Sequence, residues 1–431
     1  PINMNLTHTS QSWSNNIVIK TAFNYQFFME LSALKFKDFR VYVAGNIFSL
    51  NALWMQRITI GWIAWELTSS ATFVGFIAFI NFVPSMIMGP LFGVLIDRIP
   101  IKNAAIATQF MLFIIALSFC LSFTFGLMNE VILAIVSASS GLIASAYNPV
   151  RMSLGPRLVG HDSISSVVTI GAINFNLARL IGPAIGGWII TVWGVGIALL
   201  IQTLCYLPFI FALSLLSPRE LPYSTSIKEP FLSALRSGIR HVSGNSFISR
   251  ALLITALFAC LIRGTLEILP VIADGIFSKG AVGLGLLTSS AGLGALSAGL
   301  AKIFMPRQKV GEIPKIAILS ALAGIILIPV VGFSKSWELT IACVACLGFA
   351  STVSAISIQT AIQIDLNDNL RGRVMSLWIM VSMGAAAIGA LIMGGLADYI
   401  GLPIALGLAG GLGSLVLVIF LLKSLKTLTP R

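Results

Sequence analysis

The segment Leu257–Pro270, LFACLIRGTLEILP, places Arg263 and Glu267 four residues apart inside a long apolar run. At that spacing two side chains share one face of a helix and can neutralise each other. A lone charge at the centre of a bilayer costs about 2.5–3.5 kcal/mol to insert. The pair therefore reads in two ways: as a self-compensated couple that lets a helix insert, or as a face turned toward a wet cavity. Glu267 is the candidate proton carrier, because a partly buried carboxyl group changes charge at modest cost. Arg263 beside it would hold it ionised, and drawing Arg263 onto an anion would favour protonation. Gly264 and Pro270 flank the pair and let the helix flex.

Two further arginines, Arg57 and Arg179, also sit inside apolar runs, with no acidic residue within one helical turn. Each must face the interior of a bundle or snorkel to the interface, and Arg57 lies near enough to a run's end for snorkelling. Three arginines against one glutamate make a net positive interior. That favours an anionic or amphipathic small molecule over a cationic one. Gln56, Asn81, Asn174, Asn176 and Gln359 lie at similar depth, and each can line the same space or tie two helices together.

The elements that hold these residues follow from composition. The chain of 431 residues is 57% hydrophobic and only 10% charged, against about 25% charged in soluble domains. Apolar runs of about twenty residues match membrane-spanning helices, and the alternating pattern of a β-barrel is absent. A helical bundle is the expectation. Twelve runs are expected, centred near Leu53, Pro84, Ile115, Ser140, Leu177, Cys205, Cys260, Gly292, Leu322, Leu347, Ala386 and Gly411. One break is long and mixed in charge, Ser217–Ser249, and divides the runs six and six. The organisation predicted is a cytoplasmic N-terminal segment (1–38), a six-helix half (39–216), a cytoplasmic linker (217–249), a second six-helix half (250–423) and a cytoplasmic tail (424–431).

The net charge of +12 is a topology signal. With alternate loops assigned to opposite sides, one side collects 22 Lys and Arg and the other only Lys279 and Lys335. The positive-inside rule puts both termini and the central segment in the cytoplasm. No basic patch or basic helix points to nucleic acid. The segment before Lys35 has no short apolar core ahead of a small-residue cleavage site, so no signal peptide is expected. Its stretch IVIKTAFNYQFFMELSALKF is amphipathic and could lie on the membrane surface. The five cysteines and three histidines are scattered, CVAC at Cys343–Cys346 included, and suggest no metal cluster, redox couple or hydrolytic triad. No cofactor is expected.

The halves resemble each other. Shifted by 207 residues, the stretch beginning at Gly141 lies over that beginning at Gly348, and one residue further along Gly186–Gly187 lies over Gly394–Gly395. Duplicated halves enclosing a midplane site are a transporter architecture.

Specific motifs sharpen this. GVLIDRIPIK (Gly93–Lys102) resembles the signature G-x-L-x-D-R-x-G-R-K of the major facilitator superfamily, with Gly93, Leu95, Asp97, Arg98 and Lys102 matching and Pro100 and Ile101 in place of the usual Gly and Arg. ARLIGPAIGGW resembles the superfamily's antiporter motif through Gly182, Pro183, Gly186 and Gly187, with Ala178 where its first glycine is expected. WMQRITIGWIAWELTSSA, YNPVRMSLGPRLV and LRGRVMSLW are similar to the branch that holds enterobactin exporters and macrolide-efflux proteins. The resemblance implies a twelve-helix fold, proton-driven secondary transport that is usually export, a seventh span lining the central cavity, a monomer, and a place in the bacterial inner membrane. It implies a gating role for Gly93, Asp97, Arg98, Lys102, Gly182, Pro183, Gly186 and Gly187. Gly89/Gly93 and Gly182/Gly186 have the spacing that lets helices approach closely, and Pro183 can bend the fifth span.

The reading is therefore a proton-coupled exporter with Arg57, Arg179, Arg263, Glu267, Gln56, Asn81, Asn174 and Gln359 as candidate substrate contacts. A siderophore-like molecule is favoured and a macrolide-like drug comes second. An importer or facilitator on the same scaffold is the alternative. An enzyme would need a nucleophile and base or a metal cluster, and a receptor a sizeable extramembrane domain; neither pattern is present.

Overall fold

In the computed structural model, residues 32–96, 99–219, 231–302, 305 and 310–426 are described. Every regular element among them is helical: α1 (Lys37–Thr68), α2 (Ala71–Ile96), α3 (Ile101–Thr124), α4 (Glu130–Leu154), α5 (Ile164–Leu204), α6 (Leu207–Leu215), α7 (Phe231–Gly244), α8 (Ser246–Phe258), α9 (Gly264–Glu267), α10 (Gly280–Ala301), α11 (Lys315–Phe333), α12 (Trp337–Asp365), α13 (Asp368–Ile400) and α14 (Leu402–Lys426), with short 3-10 and π turns between. Ten stretches are long and apolar enough to cross a membrane. Helix starts carry the expected caps: Asn129, Asn245 and Ser336 accept from backbone N–H groups of α4, α8 and α12, as short polar side chains do at an N-cap. Large apolar side chains such as Phe125, Phe211, Leu253 and Leu412 face outward, as they do toward lipid.

The segment joining the halves of the chain is not all loop. It carries α7, whose Ser237 accepts from Arg373 on α13 at 2.9 Å.

Backbone landmarks repeat along the chain. Left-handed Ser69 (φ 49°) and Ser278 (φ 50°) follow α1 and the α8–α9 segment, one before α2 and the other before α10. Gly194 (φ 85°) bends α5 sharply, and Gly401 (φ 85°), 207 residues on, separates α13 from α14. Both angles exclude most side chains. The 207-residue register also pairs Gly187 with Gly394, one residue off the match read from sequence. A methyl group on Gly187 would overlap the Ala281 carbonyl oxygen, and one on Gly394 that of Ala71. These glycines let α5 meet α10 and α13 meet α2, the two broad contacts between the halves of the chain.

The ends of the bundle differ. A single apolar core joins Met55–Ala64, Ala71–Ile77 and Ile189–Leu199 to residues of the C-terminal half. A second core is built only from the N-terminal half, at the starts of α1, α3 and α5, the end of α4, and residues 206–216. The halves share a core at the end away from the termini; at the end near them, the N-terminal half has its own.

Candidate functional site

α8 runs through a π turn (Ala259–Arg263) into the one-turn α9, and a second π turn (Val271–Ile276) follows Pro270. Pro270 has no N–H to donate, and such insertions displace side chains from regular helical register. Glu267 emerges between the two turns. Gly61 of α1 faces Pro270 across the boundary between the halves, and at that crossing Arg57 and Glu267 meet. Arg57 Nη2 donates to Glu267 Oε1 in the one ion pair among the described residues. The side chains are 39% and 16% exposed. Both line a cavity of about 620 Å³, open mouth included, with Trp54, Asn81 and Thr288.

This corrects the pairing expected from spacing. Arg263 does not hold Glu267; its Nη1 donates to Ser382 Oγ on α13 at 2.8 Å. Glu267 ends the α-helical turn that follows Arg263, so spacing leaves the two within reach; their partners part them, Ser382 taking Arg263 and Arg57 taking Glu267. Arg57 does not reach out of the membrane but turns inward, with its guanidinium 5.5 Å from the Trp54 ring and 5.1 Å from Phe82. The Arg179 guanidinium also lies over the Trp54 ring, at 5.7 Å. Trp54 thus holds two cations on one wall, and cation–aromatic contacts of this kind strengthen where water is excluded. One glutamate faces three arginines, so the centre carries a positive surplus.

The polar candidates divide. Asn81 lines the cavity and donates to the Ser137 carbonyl at 3.0 Å. Gln56 points away from it: Gln56 Nε2 donates to Ser140 Oγ at 2.8 Å, and Tyr206 OH donates to Gln56 Oε1 at 3.0 Å. Asn174 donates to Asn46 at 3.3 Å, and Asn46 in turn to Tyr147 OH. Asn176 donates to the Ala172 carbonyl of its own helix. Gln359 is half-buried on α12, outside the cavity lining.

Among the gating candidates, Gly182 and Gly186 pack α5 against Trp54 and Met55 of α1. Pro183 lies inside α5, its carbonyl against Gly285 of α10. Gly93 is in the last turns of α2. Asp97 and Arg98 lie outside the described residues, as does most of the amphipathic N-terminal stretch. Lys102 Nζ donates to the carbonyls of Ser214 and Leu216 at 2.8 and 2.7 Å, closing the end of α6.

A family profile described as transmembrane secretion effector, within the major facilitator superfamily, matches residues 29–429. The chain belongs to this family. Similar curated proteins include the enterobactin exporter EntS of Escherichia coli O1:K1, 26% identical over 373 residues and 84% of each chain. Solved structures with the same fold include the nucleoside transporter NupG, with a TM-score of 0.70 at 12% identity over 89% of this chain and 98% of that one. A bacterial homologue of the iron transporter ferroportin in an inward-facing state gives 0.68 at 16% identity, over 89% and 98%.

The aromatic half of the charged centre is absent from the sequence reading. Trp54 sits three residues before Arg57, one helical turn away, and that spacing was the available signal. Phe82 and Ser382 come from other helices and gave none.

Proposed function

We propose that this major facilitator transporter exports a small anionic or amphipathic molecule in exchange for protons, with a siderophore-like substrate favoured and a macrolide-like one second. Under this proposal the membrane is crossed twelve times, by the ten apolar stretches with α1 added and the longest stretch, His161–Leu215, divided at Gly194. Residues 39–216 and 250–423 act as two halves, the termini are cytoplasmic, and the protein works as a monomer in the bacterial inner membrane.

One observation carries the reading: the ion pair that bridges the halves inside the cavity. Ionised, Glu267 holds Arg57 and ties the halves together. A proton arriving on Glu267 removes its charge and frees Arg57, which, with Arg179 and Arg263, then attracts an anion. An anion bound to Arg57 weakens its hold on Glu267 and favours protonation. Proton and substrate thus act on one bond from opposite sides, which is what coupling by alternating access requires. The sign of the membrane potential supports export: an anion leaving a negative interior gains about 2.3 kcal/mol per 100 mV. The enterobactin exporters among the relatives support the siderophore-like choice.

The test is reconstitution in liposomes holding a pH dye, challenged with anionic siderophores and neutral macrolides. The wild type should show substrate-dependent proton flux, and Glu267→Gln should show none. Equal flux in both would remove Glu267 from the coupling path; flux with macrolides alone would remove the anionic substrate.

A further inference from the structure

The first turn of α2 begins with four backbone N–H groups that have no partner inside the helix, as at any helix start. Here three of the donors are met by side chains and one by a backbone carbonyl. Ala71 N donates to Asp398 Oδ1 at 2.9 Å and Thr72 N to Asp398 Oδ2 at 2.8 Å. Phe73 N donates to Ser70 Oγ at 3.2 Å, and Ser70 Oγ itself donates to Asp398 Oδ2 at 2.6 Å. Val74 N donates to the Ser70 carbonyl at 3.2 Å. Asp398 belongs to α13, so the cap of an N-terminal-half helix is supplied by the C-terminal half. A negative group also suits the positive end of a helix dipole.

The equivalent start in the other half is built differently. Gly280 N at the start of α10 donates to Asp274 Oδ1 at 3.1 Å, within the same half. Asp274 Oδ2 then accepts from Trp65 Nε1 at 2.9 Å across the boundary. Trp65 and Asp274 are 209 residues apart, the interval that also relates Ser69 to Ser278. Among the described residues, these bonds, the Arg57–Glu267 pair and Ser289 Oγ to the Leu180 carbonyl (2.7 Å) are the hydrogen bonds between the halves. The carboxylate bonds sit at the end where the halves share a core.

We infer that Asp398 is a positioning residue for transport: it latches the far end shut by capping α2 from the opposite half, with the Trp65–Asp274 bond as a second catch. The inference rests on the alternating-access reading and its orientation. For the cavity to open at the far end, α2 must leave Asp398. Its first amide donors then lose their acceptor, and water takes its place. Asp398 is exposed, so the latch is weak enough to reopen each cycle.

The test needs no substrate. Ala78→Cys, on α2 and lining the cavity, is placed in the full chain and labelled with a membrane-impermeant maleimide. Spheroplasts report access from outside and inverted vesicles access from inside, with the native cysteines measured as background. Asp398→Ala and the milder Asp398→Asn and Ser70→Ala are compared with the parent. The parent should label faster from inside. Asp398→Ala should raise the outside rate between about threefold and thirtyfold, the span of a lost helix cap, while the inside rate falls only by the share of molecules that leave the majority state. The milder variants should fall between. No change in outside rate for any of the three would overturn the latch. A parent that labels faster in spheroplasts would overturn the orientation, and with it the place of the latch.

Discussion

Two polar regions of the N-terminal half are bonded in opposite ways. The first is internal: Gln56, Ser140 and Tyr206 bond to one another, as do Asn46, Tyr147 and Asn174, and Ser49 Oγ donates to Gln109 Oε1 at 2.6 Å. All are buried and lie within one half. The second is the centre at Arg57, which is part-exposed, positively charged and bonded to the other half. A bond inside one half survives any movement between halves. Under the alternating-access proposal a bond across them breaks each cycle, and only groups that stay content in water when parted can serve there. Under that proposal the two regions differ not by depth in the membrane but by whether their partners lie across the moving boundary.

The largest expected effect breaks the boundary bond. Arg57→Ala should leave Glu267 with no cation bonded to it and abolish coupled flux. The loss of thermal stability should be about 2 kcal/mol, below the 3–5 kcal/mol of a fully buried pair because Arg57 is more than a third exposed. Together with Glu267→Gln, it should give a double-mutant cycle with a coupling energy of about 0.5–3 kcal/mol. A cycle that sums to zero would mean the two residues act separately.

Next comes the internal network. Gln56→Leu strands the Tyr206 hydroxyl with no acceptor, at a cost of about 1–3 kcal/mol. Melting should fall, while flux per folded molecule stays at the wild-type level. Lost flux with unchanged melting would mean the Gln56 cluster reaches the substrate path, and the division between regions would fail.

How much of this the chain announced depends on the range of the contact. Spans and the duplication are local or periodic, and the pairing of Gly187 with Gly394 could be read to within a residue. Arg57, Arg179, Arg263 and Glu267 stood out because charge is rare in an apolar run. Their pairing was not legible. Helical spacing predicted Arg263 for Glu267, but spacing along one helix says nothing of Ser382 and Arg57, which reach in from other helices and take the two side chains. The true partner is 210 residues away, where no local rule reaches. Asp398 drew no notice for a similar reason: a single acid at a span end looks like an ordinary loop charge until the helix it caps is seen opposite.

The smallest expected effect tests why Glu267 has chosen Arg57. Arg263 lies on the same short segment, and its guanidinium is held by Ser382, which is 2% exposed. Ser382→Ala removes that anchor, and Arg263 is then free to compete for the glutamate. Stability should change by about 1 kcal/mol, the net worth of an ordinary hydrogen bond. The bridge between the halves should weaken more than the fold does, because a carboxylate shared between two arginines binds each less tightly. A cysteine at Ala78 should therefore become about two- to fivefold more accessible from outside, with Asp398 untouched, consistent with a free-energy shift below 1 kcal/mol. Unchanged access would mean that Arg57, and not the Ser382 anchor, keeps Arg263 from Glu267. The choice of partner would then be fixed by the crossing of α1 at Pro270, where Gly61 lets the helix that carries Arg57 come close to the glutamate.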